Sequence, residues 1–454
     1  MTRLNILRAT TALALIFWCS VSLAAPHRHR EHGRLRHLRS DQSVAPFLIN
    51  VATLHQGPNS SLPAAESSNL STYLVGGYPN PADPTKFLGF VAQASGGGST
   101  TYFMPPTNAR AGVVNAVPAT AKMQAGSTSF KTPGVVNSGR IYVSDGRLDF
   151  SAAADNTIVQ PDPHNPTDIA SEEVWGFVEF THNKDPSSGI EDMVVNLSFV
   201  DWVSLPLGMT LKYQGKNGTE TVTISGLQPD ALVKVCEALS AVPGFWPKLC
   251  LRSPDNTPLR VMSPAKYISL HKDDTDAANY YESYIDKVWG KYKNVDLKIN
   301  SQTAGPNSNV KVDNGQIVTC RVGQDDILHC DNDAGDYHRP TSTDIYGCDS
   351  GPFANPGEGA TESWSRARVR PRLCAAFVRS TLLLDGVQPS KDVGPETYYK
   401  DPVTNHYARV VHENLIGGSG YAFSYDDVNP GSAENSAGLI QTDRPLQLDI
   451  HVNI

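Results

Sequence analysis

Two carboxylates interrupt runs of residues that otherwise favour burial. Residues 172–209 read EEVWGFVEFTHNKDPSSGIEDMVVNLSFVDWVSLPLGM. Alternation along the first run places Phe177, Glu179 and Thr181 on one face of a strand, with Val178 and Phe180 on the other. Asp201 follows Phe199 and Val200 and precedes Trp202 and Val203, in what reads as a second strand. Low-dielectric surroundings make both acids candidates for shifted pKa values. One carboxyl held protonated and one ionised is the pair that acid/base cleavage of an acetal uses, the first donating to the leaving oxygen and the second activating water. The structural alternative is that each acid binds backbone or pairs an arginine. Arg140, in SGRIYVSDG, is a candidate partner that would hold a cleft carboxylate ionised, or else a plain exposed strand residue. Trp175, Trp202 and Tyr421 are rings near these motifs, and alternation puts Trp202 on the face opposite Asp201, in the core.

The elements that must position the pair are strands. A turn at residues 186–189 joins the two runs, and Glu179 would face Asp201 directly only if the hairpin were centred at 190. A centre nearer the Pro-Ser-Ser-Gly turn moves the two apart in register. Runs such as FLGFVAQ, TTYFMP, SGRIYVSDGRLDF and ETVTISGL, separated by Gly, Pro, Ser and Asn, predict a β sandwich or barrel before about residue 228. From about 229 to 400 helical spacing enters, in PDALVKVCEALSAV and in NYYESYIDKVWGKYKN, where Tyr281, Tyr284, Ile285, Val288 and Tyr292 form one stripe. β texture is expected again in HYARVVHENL, GYAFSYDD and LQLDIHVNI, the last with Leu446, Leu448, Ile450 and Val452 inward. The simplest organisation is a β domain over 46–228, an interrupting mixed domain over 229–400, and closing strands over 401–454.

Residues 1–24 carry Arg3 and Arg8, an apolar run and a small-residue end, which predict a secretory signal peptide. The run is too short for a membrane anchor. Residues 25–45 form a basic, His-rich tail without apolar periodicity, expected to be disordered. The net charge of −8 falls to −10 without the signal and −14 without the tail's charges as well. An acidic body argues against a nucleic-acid partner and suits a neutral polymer. Cys236, Cys250, Cys320, Cys330, Cys348 and Cys374 follow the signal, and the short intervals 236/250 and 320/330 favour local disulfides that leave 348 with 374. Exposed sequons would be glycan sites at Asn59, Asn69 and Asn217, whereas Asn196 sits inside a predicted strand. No GxSxG, HExxH, GxGxxG or P-loop occurs, which removes the usual supports for serine-hydrolase, zincin and nucleotide chemistry. The acidic stretch 325–336 lacks the closing Glu of an EF-hand and reads as a solvated loop, so neither metal nor cofactor is expected.

VEFT followed by NLSFVDWVSLPLGM resembles the acidic strand and the Asp strand of thaumatin-like proteins, and Arg140–Ile141–Tyr142 after Ser138 and Gly139 fits the same pattern. More specifically, the chain is similar to the β-1,3-glucanases of glycoside hydrolase family 64. The supporting stretches, in order, include GRIYVSDG, WGFVEFTHN, FVDWVSLPLGM, RVMSPAKY, NYYESYIDKVWGKY, IYGCDSGPF, RPRLCAAFVRSTLL, NHYARVVHENLI and GYAFSYDDV. The resemblance implies a mainly β fold, a thaumatin-like barrel or sandwich with an inserted mixed α/β domain and a wide groove between them. It implies an inverting, secreted endo-glucanase, monomeric and without cofactor, that cuts β-1,3-glucan to short oligosaccharides. On matching positions Glu179 would be the general acid and Asp201 the general base, Thr181 and Asn183 would contact glucan, and Asp426 and Asp427 would join the groove wall. Asn196 stands where plant thaumatin-like proteins carry Asp, and six cysteines replace their denser framework. The competing readings are a thaumatin-like protein that grips β-glucan without cutting it, and a structural cell-wall protein.

Overall fold

The structure, a computed structural model, describes residues 45–454 apart from 55–69, 81–82, 96–98, 104–114, 118–122, 124–126, 154–156, 186, 303–314, 357–360 and 432–436. The expected signal and tail, together with Asn59 and Asn69, lie outside the described residues.

Two large sheets pack face to face. The first has seven antiparallel strands in the spatial order Leu439–Asp443, Glu191–Leu197, Val174–Lys184, Val136–Asp145, Ser71–Asn80, Asp83–Ser95 and Ser99–Phe103. The second runs Gly218–Ile224, Leu207–Gly215, Pro445–Asn453, Leu48–Leu54 and Ser127–Lys131. Alternation explains the layering: Leu74, Phe90, Ile141, Val178 and Val195 of the first sheet meet Ile49, Val51, Met209, Leu448 and Ile450 of the second in one apolar core. The opposite face of the seven-stranded sheet carries a second cluster, in which Tyr73, Tyr142, Trp175 and Phe177 are covered by Leu148, Phe150 and Ile158. Leu48–Leu54 pairs in parallel with Pro445–Asn453, so strands from the two ends of the described chain share one sheet.

Between these strands the chain forms helices and smaller sheets. Ala231–Ser240 and Glu282–Tyr292 are helical where the spacing predicts, and Tyr284, Ile285, Val288 and Tyr292 are buried on one stripe with Tyr281 just before it. Ser263 caps the helix Pro264–Leu270, its hydroxyl accepting from the Lys266 N–H at 3.2 Å. Cys236–Cys250, Cys320–Cys330 and Cys348–Cys374 are paired, with Cα separations of 5.3, 4.0 and 5.9 Å, as the intervals suggest. The acidic stretch forms a short hairpin in which His329 meets Asp325 and Asp336 at 3.1 and 2.8 Å.

Besides that stretch, a hairpin and not the expected loop, three elements differ from expectation. HYARVVHENL is a helix, His406–Glu413, because Asn405 caps it and Tyr407, Val410 and Val411 fall at helical offsets on one buried face. GYAFSYDD is a set of turns with one isolated bridge, Ser198 to Tyr421. Leu446 is 46% exposed, since a bulge shifts the register so that Pro445 opposes Tyr213 while Leu448, Ile450 and Val452 stay inward.

Candidate active site

Glu179 sits mid-strand on the outer face of the seven-stranded sheet, in a row set by register. Arg140 is opposite on one side and Asn196 on the other, with Val75 and Leu439 beyond them. The hairpin is therefore centred on the Pro-Ser-Ser-Gly turn, where Asp185 Oδ1 accepts from the Ser187 and Ser188 N–H groups at 2.7 and 3.2 Å. Arg140 Nε and Nη2 approach Glu179 Oε1 at 3.0 and 2.8 Å, with side chains only 19% and 13% exposed. Asn196 Nδ2 donates to Oε2 at 3.4 Å. The guanidinium also lies over the Phe177 ring, 4.5 Å from its centroid. The arrangement is the arginine pairing that the sequence left as one alternative for a cleft acid.

Asp201 reaches the site by a different route. The strand after the turn ends at Leu197, and Asp201 lies in a bend before the short strand Trp202–Val203, which corrects the expectation of a regular second strand. The bend is tied at both ends: Phe199 N–H donates to Tyr421 O at 2.7 Å, and Asp201 O accepts from Ser263 N–H at 2.8 Å. Phe177, Phe199, Asp201, Trp202, Ser204 and Leu205 line one small cavity. Burial raises the Asp201 carboxyl to about 6; the charges of Arg140 and Lys266 offset part of that rise, and Glu179 adds to it. The two acids thus feel each other and share a cationic neighbour.

Other residues singled out by sequence are distributed unevenly. Thr181 follows Glu179 on the strand and is buried, with no hydrogen-bond partner on its hydroxyl; Asn183 is half-buried at the strand end, opposite Asp192. Trp202 is half-buried and packs as a core ring against Trp175 and Phe177, at centroid distances of 4.9 and 5.5 Å, while also lining the cavity that Asp201 lines. Trp175 and Tyr421 are buried and offer no platform. Asp426 is 0% exposed: Arg379 Nη2 reaches its Oδ1 at 2.9 Å, while His412 Nε2 and the Ala422 N–H reach Oδ2 at 2.8 Å each. It is an internal counter-ion and forms no groove wall. Asp427 is half-buried, and burial raises its carboxyl to about 6 against the pull of Arg372.

Sequence reasoning missed Gln160, Lys266 and Arg260. The last two lie in RVMSPAKY, whose order pointed to it without revealing why. Arg260, 1% exposed, donates to the carbonyls of Pro163, Ala170, Ser171 and Glu173 at 2.6–3.1 Å and so fixes the segment beside the site.

One carboxylate in the outer row of a mainly β scaffold and a second in the adjoining bend are the residue types that acid/base glycoside cleavage uses. Residues 66–452 match the model of glycoside hydrolase family 64, described as beta-1,3-glucanase, and the chain belongs to that family. It is 28% identical over 294 residues to the glucan endo-1,3-beta-glucosidase of Cellulosimicrobium cellulans and, to the same extent, to that of Arthrobacter sp. (strain YCWD3). Each match takes in 64% of this chain and 48% of the relative, so the chain spans about half the length of these curated relatives. A laminaripentaose-producing beta-1,3-glucanase, solved with laminaritetraose, superposes with a TM-score of 0.68 at 24% identity, over 90% of this chain and 99% of that one. The family 64 domain from Clostridium beijerinckii gives 0.60 at 16%, over 92% and 100%. At such identities these two structures establish the likeness of fold.

Proposed function

We propose that this chain is a secreted endo-β-1,3-glucanase that cuts glucan to short oligosaccharides by an inverting, two-carboxylate mechanism. The carrying observation is the pair itself: Glu179 in the sheet row, held by Arg140, and Asp201 in the adjoining bend, its carboxyl raised by burial and offset by the charge of the same Arg140, in a family 64 fold. Glu179 would protonate the glycosidic oxygen while Asp201 takes a proton from the attacking water, so that one proton enters and one leaves the pair per turnover. Arg140 caps Oε1 of Glu179, and burial biases Asp201 toward its protonated form. Glucan entry would have to rearrange the Arg140 contact for Oε1 to reach the glycosidic oxygen.

The same reading takes Thr181, Asn183, Arg140 and Asp427 as glucan contacts. It treats the two-sheet unit as a thaumatin-like sandwich, and residues 229–400 as an inserted domain forming the far wall of the groove. The reading also takes the chain as a secreted monomer with a glycan at Asn217, which is exposed in a tight turn; no helix among the described residues is long and apolar enough to cross a membrane. The competing reading is a glucan-binding wall protein, for which the Arg140–Glu179 pair would be purely structural. Incubation with insoluble β-1,3-glucan separates them. Soluble oligosaccharides are expected from the wild type, and Glu179→Gln is expected to lose at least ~100-fold in turnover while still sedimenting with the polymer. Folded wild-type protein that releases nothing refutes the hydrolase.

A further inference from the structure

The edge of Arg140 turned away from Glu179 is also occupied. Arg140 Nη1 donates to Gln160 Oε1, and the Tyr142 hydroxyl donates to the same oxygen. Tyr142 is 1% exposed and wedged among Phe150, Trp175 and Phe177 at centroid distances of 5.3–5.7 Å, so its hydroxyl is a fixed post. The segment that brings Gln160 there is pinned as well: Asp168 Oδ2 accepts from the Asp162 N–H at 2.8 Å, and the buried Arg260 holds the carbonyls from Pro163 to Glu173. Gln160 itself is exposed at the edge of the site. A guanidinium is a rigid fork, so the group that captures one edge sets the direction of the other.

We propose that Gln160 is a positioning residue for hydrolysis, fixing the plane of Arg140 so that its Nε and Nη2 edge stays on Glu179. This rests on the reading of Glu179 and Asp201 as the acid/base pair. Gln160 touches neither acid. Its effect is to decide how much of the Arg140 charge Glu179 feels, and therefore how readily the pair takes up its proton. Freed from Gln160, the guanidinium samples other orientations, its average field on the pair falls, and both apparent pKa values rise.

The experiment is the pH dependence of kcat/KM on soluble β-1,3-glucan for wild type, Gln160→Leu, Arg140→Met and the double variant. Gln160→Leu is expected to move both limbs of the profile upward by about half a pH unit, and Arg140→Met by more. In the double variant Gln160→Leu should add nothing, because the residue it acts through is gone. A profile that stays in place while kcat falls, or a shift that adds fully in the Arg140→Met background, overturns the proposal. Tyr142→Phe, which removes the post and leaves the Gln160 amide, should give a smaller shift in the same direction. Wild-type protein that does not cut glucan refutes the functional reading instead. Positioning is then read from carboxyl carbon NMR titration of Glu179 in wild type and Gln160→Leu, where an unchanged midpoint overturns it.

Discussion

Replacing Asp426 by Asn is expected to damage stability and leave glucan affinity intact. The carboxylate is 0% exposed and uses both oxygens: Oδ1 for Arg379, and Oδ2 for His412 and the Ala422 N–H. An amide can keep only one of those oxygens. Whichever way it turns, its NH2 meets a donor, and the buried Arg379, 2% exposed, loses its counter-charge. Breaking a buried pair by removing one partner costs about 3–5 kcal/mol. The loss should depend on pH. Burial alone would raise the Asp426 pKa, yet the charges of His412 and Arg379 hold it below 3.8, so its contribution is present above that value and fades as pH falls through the folded one. Burial alone would lower the His412 pKa, yet Asp426 raises it above 6.5, so that half is complete below 6.5 and is lost as pH rises through the folded value. Urea denaturation of wild type and Asp426→Asn should therefore differ most between pH 3.8 and 6.5. A variant as stable as wild type, but with a raised KM for glucan, would refute the burial argument and return Asp426 to the groove wall.

Asp201→Asn should abolish turnover yet stabilise the fold at neutral pH. Burial raises its carboxyl from 3.8 to about 6, so ionisation costs stability in the folded state and the variant should gain up to about 3 kcal/mol at pH 7, a gain that shrinks as pH falls through 6 and is gone near 3.8; equal stability at pH 7 would contradict the shift. Arg140→Met removes the cation that pairs Glu179 and holds the Asp201 carboxyl down, and the activity profile should move upward by about 1–3 pH units, as for a carboxylate that loses an arginine. A downward move would mean that Arg140 does not control the pair. Replacing Cys236 and Cys250 together by Ser opens a loop of sequence separation 14 and should cost about 3 kcal/mol in denaturant titrations, with little change in KM.

How far the fold could be read from the chain depended on whether the deciding contacts were local. The Glu179 strand was legible because alternation is local: Val178 and Phe180 face the core while Phe177 and Glu179 face outward. The stripe of Glu282–Tyr292 and the three disulfides were legible for the same reason. Asp201 was found by its neighbours, but its bend was not, since it is made by Tyr421 and Ser263, which are remote in sequence. The His406–Glu413 helix was misread because Val410 and Val411 favour strands locally, and only the Asn405 cap and packing of Tyr407 override that preference. Asp426 could not be told from a groove acid until Arg379, 47 residues away, was seen against it. Gln160 left no signal of its own, because a glutamine matters here only through the arginine it restrains.

The parallel pairing of Leu48–Leu54 with Pro445–Asn453 has a consequence for how the molecule is made. Asn50 Nδ2 donates to Asp449 Oδ1 at 2.7 Å across a sequence separation of 399. A nascent chain therefore carries Leu48–Leu54 without this neighbour until residues 445–453 have been made, and the strand Ser127–Lys131 can cover only its other edge. Closure of the five-stranded sheet waits on Pro445–Asn453, which inserts between Leu207–Gly215 and Leu48–Leu54. The row that holds Glu179 lies on the other sheet, but the core beneath it is shared with Pro445–Asn453. Glucan cleavage should consequently require that strand, and chains halted before residue 445 should accumulate without activity.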